Sequence, residues 1–282
     1  MTREIRYRLD TVFRYAILLL VGLVMVYPLF WMVGASFMTN SQIFSSVSFI
    51  PKDPTLSGYI KGYAGYEGMT LLYFMFNTFK FVIPKVIFTV LSATVTAYGF
   101  ARFNFWGKKF SFIVLLSTLF LPQVVLNVPQ YILFDQLGWL DSYLPLIVPS
   151  MFAGDTYFVY MQIQFLRGIP KELEEAAEID GCGIMERLWY IIVPMLKPTI
   201  ASCALFQFMW ASNDFMGPLI YVNTVAKYPV SIFLRMSMDA DVGFEWNRVL
   251  AMSLIAIIPS LFVFFAAQDS FVDGIAAGGV KG

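Results

Sequence analysis

The stretch KELEEAAEIDGCGIMERLWYIIVPMLKP, Lys171 to Pro198, is the longest charged, helix-prone island in a chain that is otherwise mostly apolar. Pro170 suits a first helical position, where no N–H is needed. Glu172 and Glu174 follow in the first turn, where the helix dipole favours anions. Gly181 and Gly183 are placed to end that helix in a left-handed cap. A second helix is expected over about Ile184 to Ile192, stopping before Pro194 and Pro198. The spacing thus predicts a hairpin of two short helices over 170–193. Ala176 and Ala177 leave a small-residue face beside carboxylates, which lets another backbone approach and offers acceptors to arginine. A solvated loop with a chance helix has the same composition, so the flanking sequence must decide.

The flanks are oil. Of 282 residues, 59% are hydrophobic and only 13% charged, with a mean hydropathy of +0.70. A soluble domain carries roughly 25% charged residues, so the chain is too poor in charge to cover a soluble surface. A bilayer core of about 30 Å takes roughly 20 apolar residues as helix. Six windows reach that length: about Tyr15–Phe37, Asn77–Ala101, Phe110–Asn127, Ser142–Leu166, Thr199–Tyr221 and Val249–Gln268. The first follows a basic lead and could mimic a signal peptide, but its apolar run is too long for one, and it reads as a retained helix. The expected fold is therefore all-α: a polytopic membrane protein with six transmembrane helices over 15–268, a short segment 1–14 before them and a tail 269–282 after. Prolines 28, 84, 122, 145, 149, 218 and 259 fall in or beside these windows, as membrane helices tolerate.

Lysine and arginine set the orientation. With the N-terminus inside, the inner segments hold Arg3, Arg6, Arg8, Arg14, Arg102, Lys108, Lys109, Arg167, Lys171, Arg187, Lys197 and Lys281, twelve of the 19 basic residues. Both termini and the opening hairpin are then cytoplasmic. Histidine is absent, which removes the usual general base and the commonest metal ligand. Cys182 and Cys203 fit neither a disulfide framework nor a metal site. No phosphate-binding glycine motif is present. The expectation is a non-enzyme, with no metal and no cofactor of its own.

The hairpin has one further property. Glu175-Ala176-Ala177, Gly181 four residues later, then Ile191-x-Val193-Pro194 resembles the EAA loop of ABC importer permeases, with Val193 for a more usual leucine. Asp180 matches many sugar permeases. Asn77, AYGFARFNFWGKK from Ala97, GWLDSYLPLIVP from Gly138 and FVDGIAAGGVKG from Phe271 resemble other parts of carbohydrate permeases of the maltose-transporter type. This resemblance spans nearly the whole chain. It implies one of two homologous permease subunits of a sugar or oligosaccharide importer in a bacterial or archaeal plasma membrane. Two cytoplasmic ATPase subunits would bind ATP and Mg2+, and an extracytoplasmic binding protein would deliver the sugar. Glu175, Ala176, Ala177, Asp180, Gly181, Ile191 and Pro194 would dock the hairpin on an ATPase subunit. Gly278, Gly279, Lys281 and Gly282 would thread a tail to the ATPase interface.

Polar groups at membrane depth are costly and face a cavity or the bundle interior. Asp155 and Asp214 are expected well inside the fourth and fifth helices, with Asn213, Gln123, Asn127 and Gln207 adding hydrogen-bonding capacity and Trp210 and Phe215 offering ring faces to a sugar. The same groups also suit helix–helix contacts. Lys80 and Lys85 bracket Pro84, about 140° apart on an ideal helix. They either snorkel to headgroups or line an entrance suited to an acidic oligosaccharide, one lysine fitting that role better than two. The Asn223–Asn247 segment is long for a connector and is expected to meet the docked binding protein. Rival readings are an ABC permease for an amino acid or phosphate compound, a secondary transporter and a membrane enzyme. A secondary transporter calls for internal repeats that the sequence does not show and leaves the hairpin unexplained, and a membrane enzyme has neither a motif nor a histidine to support it.

Overall fold

A computed structural model describes residues 3–45, 48–238 and 245–279, and helix is the dominant element among them. Ten helices matter here: α1 (Arg3–Ser36), α2 (Leu71–Arg102), α3 (Lys108–Thr118), α4 (Gln123–Gln136), α5 (Thr156–Gly168), α6 (Glu172–Ile179), α7 (Ile184–Met195), α8 (Lys197–Ser212), α9 (Met216–Tyr221) and α10 (Trp246–Gly279). The chain divides into two compact units, one of residues 1–72 with 234–257 and one of 73–233 with 258–282.

Among the described residues, α1, α2 and α10 are long and apolar enough to cross a membrane. Counting each bent pair α3–α4 and α7–α8 as one span raises that number from three to five. The other expected windows are broken, and proline accompanies the first two breaks. The window Phe110–Asn127 is not one helix: α3 and α4 meet at 106°, where Pro122 is extended at ψ 126° and brings no N–H to continue the ladder. The window Ser142–Leu166 opens with a turn at Leu144–Ile147 and a 3-10 segment, Val148–Phe152. Ala153 is then left-handed at φ +56°, and α5 begins only at Thr156. Asp155 therefore precedes α5 rather than lying inside a helix. The window Thr199–Tyr221 ends its first helix at Ser212 and resumes at Met216, so Asp214 sits in the break.

In the first unit, the short helix Ser57–Ala64 lies against the start of α10. A Cβ on Gly58 would come within 2.7 Å of the Asn247 carbonyl oxygen, and one on Gly62 within 2.6 Å of Met252 Cγ. This small-xxx-small pair permits backbone contact. Asn247 Nδ2 donates to Ser57 Oγ (3.2 Å), and Lys61 pairs with Glu245. The apolar surface of α1 is exposed through its middle, Leu18, Leu19, Leu20, Leu23 and Val24 each by more than 60%, while Ala35 and Ser36 at its end are buried.

The second unit buries a core that joins Ala93, Ala97 and Tyr98 of α2, Phe158, Ile163 and Leu166 of α5, Leu188 and Ile192 of α7, and Cys203 of α8. The hairpin is thus packed into the same core as the long helix α2. Helix α7 does not stop before Pro194. A π-helical turn, Arg187–Ile192, carries it through to Met195, and the wider turn absorbs the missing proline donor. Helix α10 continues through Gly279, so Gly278 and Gly279 are helical rather than part of a threaded tail, with Ala276 and Ala277 sustaining the helix. Lys281 and Gly282 lie outside the described residues.

Candidate functional site

The hairpin is built by local chemistry. Pro170 precedes Lys171, the residue flanking α6, and Lys171 O accepts from Glu174 N (2.9 Å) and Glu175 N (3.0 Å). At the other end Gly181 adopts φ +89°. Cys182 N then donates to Ala177 O (2.9 Å) and Gly181 N to Glu178 O (3.1 Å), the paired bonds of a Schellman cap. Glu186 Oε2 accepts from Gly183 N (2.7 Å) to start α7, and Arg187 bridges the two arms to Glu178 (2.5 Å).

Two adjacent glutamates have opposite fates. Glu175, Ala176 and Asp180 are exposed, together with Ile179, Met185 and Tyr190. Ala177 is buried, Ile191 half-buried and Pro194 exposed. Glu174 turns inward to pair with Arg102 from the last turn of α2, their side chains only 8% and 7% exposed. Tyr98 OH donates to Glu174 Oε2 (2.9 Å), and Arg102 Nη2 donates to Ile169 O (3.0 Å). Arg102 thus holds both α6 and the chain leading into it. Sequence reasoning took Arg102 only as an orienting charge and Glu174 only as a first-turn anion, and did not pair them. Beside the pair, a groove of ≈490 Å³ is lined by Arg167, Lys171, Glu172 and Glu175.

The second feature is a cavity of ≈500 Å³ in the same unit. Lys85 of α2, Gln123, Asn127 and Gln130 of α4, Gly154 and Asp155 at the break before α5, Gln207 and Trp210 of α8, and Asp214 at the break after it all line the cavity. Asp155 Oδ2 accepts from Thr89 Oγ1 (2.7 Å) and Gln207 Nε2 (3.1 Å). Asp214 Oδ1 accepts from Gly217 N (3.0 Å). Trp210 is held by Phe158 and Tyr157, with ring centroids at 5.1 and 5.3 Å. Both helix breaks therefore place a carboxylate on the cavity wall.

Of the six candidate pathway residues, Lys85, Asp155, Trp210 and Asp214 meet at this cavity. Lys80 and Asn213 do not. Lys80 Nζ donates to Asn77 Oδ1 (2.9 Å) and lies 5.0 Å from the Phe76 ring centroid. Asn213 Nδ2 caps α8 through Met209 O (2.8 Å). Gln130 was missed, although Gln123, Asn127 and Gln130 recur at i, i+4, i+7, the signature of one helix face.

A third cluster escaped the sequence reading. Asp141, at φ +54°, accepts from Asn223 N (2.9 Å), Thr224 N (2.8 Å), Thr224 Oγ1 (2.7 Å) and Lys227 Nζ (2.7 Å). The Lys227 ammonium and these donors hold its carboxyl well below the usual carboxylate range. The start of the Asn223–Asn247 segment is thereby stapled to the turn before Leu144–Ile147. Residues 239–244 of that segment, with Asp239 and Asp241, lie outside the described residues.

Comparison with known proteins fits this arrangement. The fold matches a chain of a bacterial ABC transporter involved in the import of the acidic polysaccharide alginate, with a TM-score of 0.80 over 96% of this chain and 99% of that one, at 18% identity. The galactooligosaccharides transport system permease protein GanQ of Bacillus subtilis is 30% identical, covering 99% of this chain and 98% of its own. The lactose transport system permease protein LacG of Rhizobium radiobacter is 28% identical over the whole of both chains. The sn-glycerol-3-phosphate transport system permease protein UgpE of Brucella melitensis is 30% identical over 92% of this chain and 94% of its own. The sequence profile of the binding-protein-dependent transport system inner membrane components matches residues 86–276, a span that holds the hairpin, its buried anchor and the cavity lining except Lys85, and the chain belongs to that family.

Proposed function

We propose that this chain is one permease subunit of an ATP-driven sugar or oligosaccharide importer, in which the hairpin α6–α7 docks on a cytoplasmic ATPase subunit and the cavity forms this chain's part of the solute path. A homologous permease supplies the other part, two ATPase subunits bind ATP and Mg2+, and an extracytoplasmic binding protein delivers the solute. The chain crosses the plasma membrane six times with both termini inside. The single observation that carries the reading is the division of roles along α2. Its Lys85 lines the cavity, and its last turn grips the hairpin through Arg102 and Glu174. A rigid helix that reaches both places lets the ATPase state bias the path.

The exposed face of the hairpin supports docking. Glu175, Ala176, Ile179 and Asp180 of α6 are exposed, as is Tyr190 of α7, Ile179 by 87% and Tyr190 by 80%, and exposed apolar side chains beside carboxylates suit a soluble partner. Sugar as the solute draws support from relatives named for galactooligosaccharide and lactose transport. Relatives named for sn-glycerol-3-phosphate transport keep a phosphate ester as the second reading, which the Lys85 ammonium on the wall also suits. The test is a cysteine at Ala176, cross-linked in membranes to cysteines scanned over the ATPase surface. Cross-links whose yield changes with ATP are expected. Their absence at every position scanned, in a transporter that still takes up solute, would falsify the docking role.

A further inference from the structure

The charge on the cavity wall separates two classes of sugar. Its charged lining residues are Lys85, Asp155 and Asp214, two carboxylates against one ammonium, a formal charge of minus one. Lys80, the other lysine that could have balanced them, is tied to Asn77 elsewhere. The three groups are also unsaturated. Among the described residues, Asp155 Oδ2 takes both side-chain donors and leaves Oδ1 open, while Asp214 spends only Oδ1 on Gly217 N. The Lys85 ammonium has no hydrogen-bond or ion-pair partner among the described residues. The cavity therefore offers two free carboxylate acceptors, one free cationic donor, side-chain amides from Gln123 and Asn127, and the indole of Trp210.

We propose that this set receives a neutral, hydroxyl-rich oligosaccharide and disfavours a uronate-bearing one, with Asp155 and Asp214 as the residues that set the charge preference. The inference rests on the reading that the cavity lies on the solute path. Sugar hydroxyls are donors that carboxylates accept strongly, and a pyranose face packs on an aromatic ring while its edges hydrogen-bond. A neutral sugar can use all three ionic groups at once. A uronate can pair with Lys85 but then brings a third negative charge beside two fixed ones. Low-dielectric walls focus the field of those charges, and like-charge juxtaposition rejects a ligand more sharply than a lost contact does.

The field can be measured without knowing the substrate. A cysteine is placed at Asn127 in the complete transporter freed of other reactive cysteines, and its rates with a cationic and an anionic methanethiosulfonate of similar size are compared. The cationic reagent is expected to react faster, by on the order of tenfold. The ratio should fall in Asp155→Asn and again in Asp214→Asn, and rise in Lys85→Met. Because the last variant moves the ratio the other way, general loosening of the fold does not mimic the result. A faster anionic reagent, or a ratio that none of the three variants moves, overturns the proposal. If a small neutral thiol reagent also fails to reach the cysteine in every nucleotide state, it is the solute-path reading that fails. Uptake in proteoliposomes with the binding protein, using galactotriose and trigalacturonate as probes, gives the second readout. Asp155→Asn should raise the uronate-to-neutral ratio, and a wild-type preference for trigalacturonate overturns the proposal.

Discussion

Removing the arginine of the buried pair should cost far more than its place near a helix end suggests. In Arg102→Met, the Glu174 carboxylate stays in a site that is 8% exposed and, among the described residues, keeps only the Tyr98 hydroxyl as a side-chain donor. Breaking a buried ion pair from one side costs about 3–5 kcal/mol, because the remaining charge is stranded. Tyr98→Phe removes one hydrogen bond to the same carboxylate and should cost about 1.5–3 kcal/mol. Replacing the pair together, Arg102→Met with Glu174→Leu, leaves no stranded charge and should recover most of the loss. Stability is read from denaturant unfolding of the purified complex in detergent, and coupling from ATP hydrolysed per solute transported in proteoliposomes. The double variant is the informative one. It should be nearly as stable as the wild type yet hydrolyse more ATP per solute, because two apolar side chains slide where an ion pair and its hydrogen bonds hold one orientation. A single variant as stable as the wild type would refute the buried-charge reasoning. A double variant that is stable and fully coupled would refute the idea that the pair transmits motion.

Other outcomes follow from the same geometry. Gly181→Leu forces a branched side chain into φ +89°, costs roughly 1–2 kcal/mol, and should lower ATPase cross-linking while solute binding to the binding protein is unchanged. Asp214→Leu should reduce uptake with the complex still assembled on a sizing column, whereas Asn213→Ala, away from the cavity, should change uptake little. Gly58→Val meets the Asn247 carbonyl and should destabilise the first unit by about 1–3 kcal/mol, measured as loss of folded complex after mild heating. For Asp141, the folded carboxyl is held below its unfolded value of about 3.9. Its contribution is therefore complete above that pH and is lost as pH falls towards the folded value. The stability difference between wild type and Asp141→Asn should be flat from pH 8 to 5 and shrink only below about pH 4.

What could be read from sequence was local. Gly181 announces its left-handed cap because the residues it serves are its neighbours, and the acidic first turn of α6 follows from the dipole beneath it. The Glu174–Arg102 pair spans 72 positions, and nothing near Glu174 distinguishes it from Glu175. Only the packing of α2 against α6 decides which glutamate is buried. Proline behaved the same way. Pro84 and Pro259 lie within continuous helices, while Pro122 and Pro149 accompany breaks. Hydropathy windows treat all four alike, since whether a missing donor is absorbed or ends the helix depends on neighbours. Of the two lysines, the 140° separation on an ideal helix argues against both facing one side, but does not say that Lys85 is the one to line the cavity.

The bare surface of α1 bears on how the protein is made. Exposed through its middle and held by its own unit only at its last turn, where Ala35 and Ser36 are buried and Ser36 Oγ meets Tyr59 OH (2.8 Å), this helix satisfies its backbone internally and asks little of the residues that follow it. It can therefore be complete as soon as it leaves the ribosome and enters lipid, before any of α2 to α10 exists. Substitutions among leucine, valine, isoleucine and methionine along it should pass unnoticed, because a fluid has no fixed shape to match. A single charged residue at its middle should instead be felt during insertion, as a fault in synthesis rather than in the finished transporter.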